Sequence, residues 1–124
     1  MNDLHTPCLI LDRGVLEANI DKLLRCCRTL DIRPRPHMKT PKSNQVAQLL
    51  ADRGVDRFTV STIRELETLA AAGFNDLFYA VPLERSKVVR VAPLLREGRS
   101  VSFLIDDLDS ARACAQAAAE LDVT

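Results

Sequence analysis

The stretch that decides the fold reads Arg35-Pro36-His37-Met38-Lys39-Thr40-Pro41-Lys42. If it is extended as far as the lysine, alternate side chains face opposite ways, so Arg35, His37 and Lys39 share one side. Thr40 suits a helix N-cap, and Pro41 suits the first helical position, where a missing N–H costs nothing. The stretch therefore predicts a strand that ends on Lys39 and turns at once into a helix. In α/β folds, ligands bind at the carboxyl ends of such strands.

The rest of the chain repeats this strand-then-helix order. Apolar runs that end at Ser61, Val81 and Ile105 predict three more strands, and a helical pattern fills each interval. This rhythm is typical of βα units around a parallel sheet. A closed eightfold barrel needs about 250 residues, so a chain of 124 can supply about half of one. A flavodoxin-like sheet is the alternative at this length, although no Gly-rich phosphate turn follows any predicted strand.

Local signals set the helix boundaries. A helix is predicted from Asp12, and its apolar stripe extends to Cys27. Thr62 and Glu65 predict a capping box, in which each side chain bonds the backbone N–H of the other residue. Pro93 lies inside a helical pattern, where it kinks the helix, breaks it or marks the start of a second turn. The sequence leaves these three outcomes open.

Composition narrows the classes of function. Hydrophobic residues make up 47% of the chain, which predicts a real core, and basic and acidic residues both number 17. A neutral balance gives no broad basic field for nucleic acid or a membrane surface. No apolar run approaches the roughly 20 residues of a membrane span, so we expect a cytoplasmic protein. The four cysteines lack zinc-site spacing, which favours buried free thiols.

Four segments carry a resemblance to a known family. They are Thr6-Pro7 with Leu11-Asp12, Leu16 to Ile20, Arg35 to Thr40, and Thr59 to Thr62 with Glu65 and Ala71-Ala72-Gly73. These segments resemble D-threonine aldolases and eukaryotic-type D-serine dehydratases, which share the alanine racemase-like, fold-type III architecture. The resemblance extends over nearly the whole chain and is most specific at the Pro-His-x-Lys-Thr core.

The resemblance implies a TIM-type (β/α)8 barrel accompanied by a β-domain, with pyridoxal 5′-phosphate (PLP) at the barrel mouth. Residues 1–12 would supply a lead-in strand of the β-domain, with the strand itself at 6–12. Residues 13–124 would form the amino-terminal portion of the barrel, about its first four βα units. The lysine strand would be the first strand of the barrel, which explains why the lead-in strand has no obvious partner in this chain.

The resemblance also assigns the site. Lys39 is the catalytic lysine that forms a Schiff base with PLP, and His37 and Thr40 are further cofactor contacts. For His37, a packed interior histidine is an equally good interpretation, and for Thr40 helix capping alone is sufficient. Alternation places three more side chains toward the interior, where packing or solvation accounts for them: Arg35, Tyr79 and Asp106.

The implied activity is that of a PLP-dependent lyase on a small D-amino acid, with this part alone expected to be inactive. Cleavage of Cα–Cβ gives an aldolase that releases glycine and an aldehyde, whereas removal of the α-proton gives a dehydratase or a racemase. A Schiff base needs a primary amine in its uncharged form, and a lysine side chain is the group that supplies one. A non-catalytic PLP carrier is the alternative, but such single-barrel proteins lack a β-domain, and the lead-in strand therefore favours the enzyme.

Family members often form homodimers, and we expect the same here. Several relatives carry a His where this chain has Pro41. The divalent-metal ligands of the family, a His with a Cys or Asp, would follow the stretch present here, so no residue of this chain is assigned to a metal.

Overall fold

The structure is a computed structural model that describes residues 5–123. Its chain divides into two compact units, one ending at Arg33 and the other starting at Pro34. The elements are α1 (Arg13–Thr29), α2 (Asn44–Ala51), β1 (Arg57–Val60), α3 (Ile63–Ala71), β2 (Asp76–Pro82), α4 (Arg85–Arg96), β3 (Ser100–Leu104) and α5 (Leu108–Glu120). Only α1 belongs to the first unit. Within residues 5–123, no helix is both long and apolar enough to cross a membrane.

Helix α1 begins where the sequence predicts. Asp12 is its N-cap, and the Asp12 carboxylate accepts a hydrogen bond from the Val15 N–H at 3.0 Å. Residues 6–12, which we predicted as a strand, lie in neither a helix nor a strand. A strand needs a partner for its backbone groups, and the partner implied by the resemblance is the β-domain. The assignment of residues 1–12 to that domain stays a prediction, and its first four residues lie outside the described ones.

The second unit is built on a parallel sheet with the strand order β1-β2-β3. The lysine stretch joins this sheet through one isolated bridge, His37 opposite Thr59. Met38 N–H donates to the Thr59 carbonyl at 2.8 Å, and Thr59 N–H donates to the Pro36 carbonyl at 2.8 Å. The predicted strand is therefore shorter than expected. Pro36 has no N–H to extend the ladder toward Arg35, and pairing stops before Lys39 because the Met38 carbonyl accepts from Lys42 while the Ser61 N–H donates to Glu65. Strand, helix and parallel pairing otherwise follow the predicted order, which confirms the fold class.

The two faces of the sheet differ in chemistry. Phe58, Val60, Leu77 and Tyr79 are buried on the face covered by helices, where the Lys87 ammonium of α4 lies 6.0 Å from the centre of the Tyr79 ring. The prediction that Tyr79 points to the barrel interior is therefore wrong. The register pairs Val60 with Tyr79 and so puts both on the helix side. The opposite face, which we call the polar face, carries the side chains of Arg57, Thr59, Asp76, Ser100 and Ser102 around one large apolar side chain, Phe78, which lies between Thr59 and Ser102.

Helix α2 starts later than the sequence analysis predicted. Its N-cap is Ser43, whose hydroxyl accepts from the Val46 N–H at 3.3 Å, and not Thr40. Between them, Lys42 N–H donates to the Met38 carbonyl at 3.0 Å, and Lys42 adopts a positive φ of 42°. This closed turn occupies the residues that would have formed the first helical turn.

The position of the α2 cap is testable by substitution. We expect Ser43→Ala to lower the free energy of unfolding by about 1 kcal/mol, because an N–H of the first turn loses its acceptor. Thr40→Ala is the matched control and should change it by less than about 0.5 kcal/mol. Chemical denaturation in the absence of cofactor measures both values. A larger loss for Thr40→Ala than for Ser43→Ala would contradict the cap described here.

Helix α3 confirms one half of the predicted capping box. The Thr62 hydroxyl accepts from the Glu65 N–H at 3.1 Å, as expected. The Glu65 carboxylate instead accepts from the Ser61 N–H at 2.9 Å, one residue earlier than predicted. The Glu65 side chain therefore fixes the backbone of Ser61, the residue that follows β1, and not the backbone of the N-cap residue Thr62.

The structure shows how Pro93 and the cysteines compare with the predictions. Helix α4 continues through Pro93, so the proline neither breaks the helix nor starts a second one.

Cys114 is buried and its thiol donates to the Leu83 carbonyl at 3.2 Å, while burial raises the pKa of the thiol. All four cysteines are free, as predicted. Cys8 is exposed and Cys27 is half-buried, so the expectation of burial is wrong for Cys8 and is met in full only at Cys114.

Candidate active site

The lysine lies on a short turn at the carboxyl edge of the sheet. Residues 38–41 form this turn, which we call the lysine turn, and the Lys39 side chain is exposed. The backbone of the turn is held at Met38, whose N–H bonds to β1, and at Lys42, whose N–H closes back onto Met38. The amine is thus mobile only through its own side chain, while its backbone is tied to the sheet.

His37 holds the lysine backbone directly. Its Nδ1 accepts the Lys39 N–H at 3.2 Å, and its Nε2 lies 3.2 Å from the Ser61 hydroxyl. Partial burial and the nearby Lys39 ammonium lower the pKa of His37, and the Glu65 carboxylate opposes them. Because Nδ1 is occupied as an acceptor, the neutral ring carries its proton on Nε2 and donates it to Ser61. His37 is therefore a neutral group beside the lysine.

The first residues of α3 close the site on one side. The Glu65 carboxylate accepts from the Ser61 N–H at 2.9 Å through one oxygen and lies 3.6 Å from the Lys42 ammonium through the other. Glu65 is mostly buried, with 14% of its side chain exposed, whereas Lys42 is 67% exposed. The exposed ion pair contributes little to stability, and the backbone hydrogen bond is the contact that fixes geometry.

A charged cluster occupies the other end of the polar face. Asp76 pairs with Arg35 at 2.7 Å and with Arg57 at 3.6 Å, and the Thr59 hydroxyl donates to the Arg35 carbonyl at 3.3 Å. These contacts join the lysine stretch to β1 and β2 at the amino ends of the strands. In barrels of parallel strands this end serves stability and the opposite end carries the chemistry. Arg35 is therefore a structural residue of the polar face.

A cavity of about 350 Å³ opens beside the lysine turn, between the first turns of α2 and α3. Met38, Lys42, Ser43, Thr62 and Glu65 are among the residues that line it. Lys39, His37 and Thr40 do not line it. The lysine instead lies at the edge of the polar sheet face, and we place the candidate site there because that is where the exposed amine and the neutral histidine meet.

The structure brings together only part of the predicted site. His37 contacts the backbone of Lys39, whereas the Thr40 hydroxyl has no hydrogen-bond partner among residues 5–123. Asp106 lies after the end of β3 and is exposed. The sequence analysis missed Ser61 as a site residue. His37 pairs with Thr59 in parallel, so Lys39, two residues after His37, lies beside Ser61, two residues after Thr59, at the edge of the sheet.

A parallel sheet whose strands alternate with helices defines an α/β domain of the type that begins a (β/α)8 barrel. The chain matches the family described as alanine racemase, N-terminal domain, over residues 11–124. The chain belongs to this family, and the resemblance noted in the sequence is confirmed. The predicted architecture of alanine racemase type is confirmed with it.

Named relatives include two dehydratases and an aldolase. D-threo-3-hydroxyaspartate dehydratase of Delftia sp. (strain HT23) is 33% identical over 112 residues, 90% of this chain and 30% of that enzyme. Its solved structure is 31% identical and superposes with a TM-score of 0.91 over 98% of this chain and 32% of that one. D-serine dehydratase of Dictyostelium discoideum is 31% identical over 96 residues, 71% of this chain and 23% of that enzyme.

The structure of D-threonine aldolase from Filomicrobium marinum is 25% identical, with a TM-score of 0.87 over 98% of this chain and 33% of that one. The chain therefore spans about a third of the length of the solved relatives that it matches.

The described residues fit the aldehyde end of PLP. Lys39 offers an exposed primary amine on a turn whose backbone is fixed by three hydrogen bonds, at Met38, Lys39 and Lys42. A primary amine is the group that an aldehyde cofactor needs. His37 adds a neutral neighbour, and the ammonium of Lys42, the residue that follows the turn, is paired with the Glu65 carboxylate at 3.6 Å.

Proposed function

We propose that this chain is the amino-terminal part of a PLP-dependent lyase that acts on a small D-amino acid, either as a D-threonine aldolase-like or a D-serine dehydratase-like enzyme. The position of Lys39 carries the proposal: an exposed amine on a fixed turn at the carboxyl edge of a parallel sheet. The relatives named above are lyases by name, which favours a lyase over a racemase. The free thiols of the described residues suit a reducing compartment, and we propose a cytoplasmic homodimer.

The residues of the turn have separate roles in this proposal. Lys39 binds the cofactor through its amine, and His37 and Thr40 are proposed to contact the cofactor. When bound, PLP supplies an electron sink for the pair of electrons left when a bond to Cα breaks. Nζ of Lys39 would also be placed to take a proton from the substrate. A divalent metal, if one is used, would be held by residues outside this chain.

The assignment of Lys39 is tested by borohydride reduction of the PLP-loaded, full-length protein, followed by trypsin digestion. Trypsin does not cut after Arg33 or Arg35, because proline follows both. A pyridoxyl group on Lys39 also blocks cleavage there, so we expect the added mass on peptide 29–42. A pyridoxyl group on Lys42 would instead appear on peptide 40–53 and would overturn the assignment.

The class of protein is tested by mixing the same protein with D-threonine and D-serine. Release of glycine and acetaldehyde, or of pyruvate and ammonia, is the expected result for a lyase. A pyridoxyl group on Lys39 without any of these products would favour a PLP carrier. Interconversion of D- and L-alanine in its place would favour a racemase.

A further inference from the structure

A line of polar contacts connects the end of β1 with the lysine turn. Lys39 N–H donates to His37 Nδ1 at 3.2 Å, and His37 Nε2 lies 3.2 Å from the Ser61 hydroxyl. The Ser61 N–H donates in turn to the Glu65 carboxylate of α3 at 2.9 Å. The proposed function uses neither Ser61 nor Glu65. Their contacts nevertheless end on the backbone of the proposed catalytic lysine.

The contact with Lys39 requires one form of the imidazole. A neutral ring has one donor and one acceptor nitrogen, and the lysine N–H needs Nδ1 as the acceptor. The proton must then lie on Nε2, which faces the Ser61 hydroxyl. If the proton moved to Nδ1, or if the ring became charged, Nδ1–H would face the Lys39 N–H and the hydrogen bond would be lost. The Lys39 N–H itself therefore selects this form, and the Ser61 hydroxyl, which can accept from Nε2–H, holds the ring in the orientation that the contact needs.

We propose that Ser61 is a positioning residue, which holds the His37 ring in the orientation in which Nδ1 accepts the Lys39 N–H and thereby anchors the backbone of Lys39. Glu65 supports it by fixing the Ser61 backbone at the end of β1. This inference rests on the proposed role of Lys39 for its functional meaning, but its contacts do not involve the cofactor. Ser61 is half-buried and follows directly on the buried Val60, so its backbone is fixed on both sides.

The arrangement makes the lysine turn sensitive to pH. The charged groups that face His37 are the Lys39 ammonium from its own turn and the Glu65 carboxylate from α3; its neighbour on β1, Thr59, is uncharged. As the pH falls through the pKa of His37, Nδ1 gains a proton and can no longer accept the Lys39 N–H. The protection of that amide is therefore present above this pKa and lost below it.

The test measures hydrogen exchange at the Lys39 amide by mass spectrometry with single-residue resolution, on the full-length PLP-loaded protein. We expect Ser61→Ala to speed this exchange about fivefold at neutral pH, as for loss of one neutral hydrogen bond. Ser61→Thr keeps a hydroxyl and should restore the slow rate. Ser100→Ala removes an exposed hydroxyl from the amino end of β3 and should change nothing. Exchange in Ser61→Ala at the unsubstituted rate would overturn the proposal.

A second measurement follows the exchange of the imidazole C2 hydrogen, which reports the pKa of His37. Glu65→Gln keeps an oxygen acceptor for the Ser61 N–H but removes the charge that favours the imidazolium, so the pKa of His37 should fall. An unchanged pKa would overturn the electrostatic effect of Glu65 on His37 and with it the part of Glu65 in the pH sensitivity of the lysine turn. These readouts are independent of the pyridoxyl mapping. If the pyridoxyl group is found on Lys42 but the amide exchange changes as expected, only the proposed function is refuted. If the group is found on Lys39 but the amide exchange does not change as expected, only the positioning role of Ser61 is refuted.

Discussion

Replacement of Lys39 by alanine is expected to lower turnover of the D-amino acid substrate by at least about 10³-fold. A positioned general base contributes about 10²–10⁴-fold by itself, and the same substitution also removes the amine that we propose binds the cofactor. The loss should appear in the turnover number at saturating PLP, and the visible absorbance of the bound cofactor should shift toward that of free PLP. Steady-state release of ammonia or aldehyde by the full-length protein measures the first effect.

Two further variants separate the chemistry of Lys39 from its charge. Lys39→Arg keeps the positive charge, yet a guanidinium cannot bind the aldehyde or take the substrate proton at neutral pH, so this variant should be as inactive as Lys39→Ala. Lys22→Ala removes an exposed charge from α1 and should keep full activity. Turnover by Lys39→Arg within about tenfold of the unsubstituted protein would show that the residue acts only through charge.

The elements that the sequence predicted well are those with a strong periodic or local signal. The strand that ends near Val81 contains a continuous apolar run, Leu77 to Val81, and the helix before it has one apolar side and a clear cap at Thr62. These signals depend on near neighbours in the chain. The parallel order of β1, β2 and β3 then follows because each connection contains a helix.

The misplaced elements depend on contacts that no local pattern contains. Thr40 and Ser43 are both good N-caps in sequence, and the hydrogen bond from the Lys42 N–H to Met38 selects the second. The face of Tyr79 depends on the register between β1 and β2, and counting alternation from an assumed strand end gave the wrong side. A register is set by pairing across strands, and a slip of one residue reverses every side chain.

The candidate site also contains residues that a local motif predicted and residues that only the pairing between strands reveals. The Pro-His-x-Lys-Thr motif identified Lys39 and placed His37 two residues before it, which the structure turns into a contact with the lysine backbone. Ser61 carried no such motif. Its contact with His37 spans 24 positions and arises from the bridge at Thr59, so only the pairing of the lysine stretch with β1 reveals it.

Replacement of Phe58 by alanine is expected to lower the free energy of unfolding by about 3–5 kcal/mol, the range measured for buried phenylalanines. Phe58 has no exposed surface, and its ring packs edge-to-face on Phe74 with centres 4.8 Å apart and planes at 65°. The substitution leaves a cavity between β1 and the helices that cover it. Since a domain is stable by about 5–15 kcal/mol, this one change removes a large part of the total. Urea denaturation of the full-length protein measures the loss.

Phe58→Leu is the matched variant, because it fills most of the volume and removes the contact between the two rings. It should cost less than Phe58→Ala, and it gives a measurable value if the alanine variant does not fold. Val89→Ala trims a side chain on α4 that is 57% exposed and should change the free energy of unfolding by less than about 0.5 kcal/mol. Equal losses for Phe58→Ala and Val89→Ala would contradict the division of the sheet into a helix-covered apolar face and a polar face. That division also determines the side of the sheet on which Lys39 and His37 can meet a ligand, so this stability measurement tests the placement of the site as well as the core.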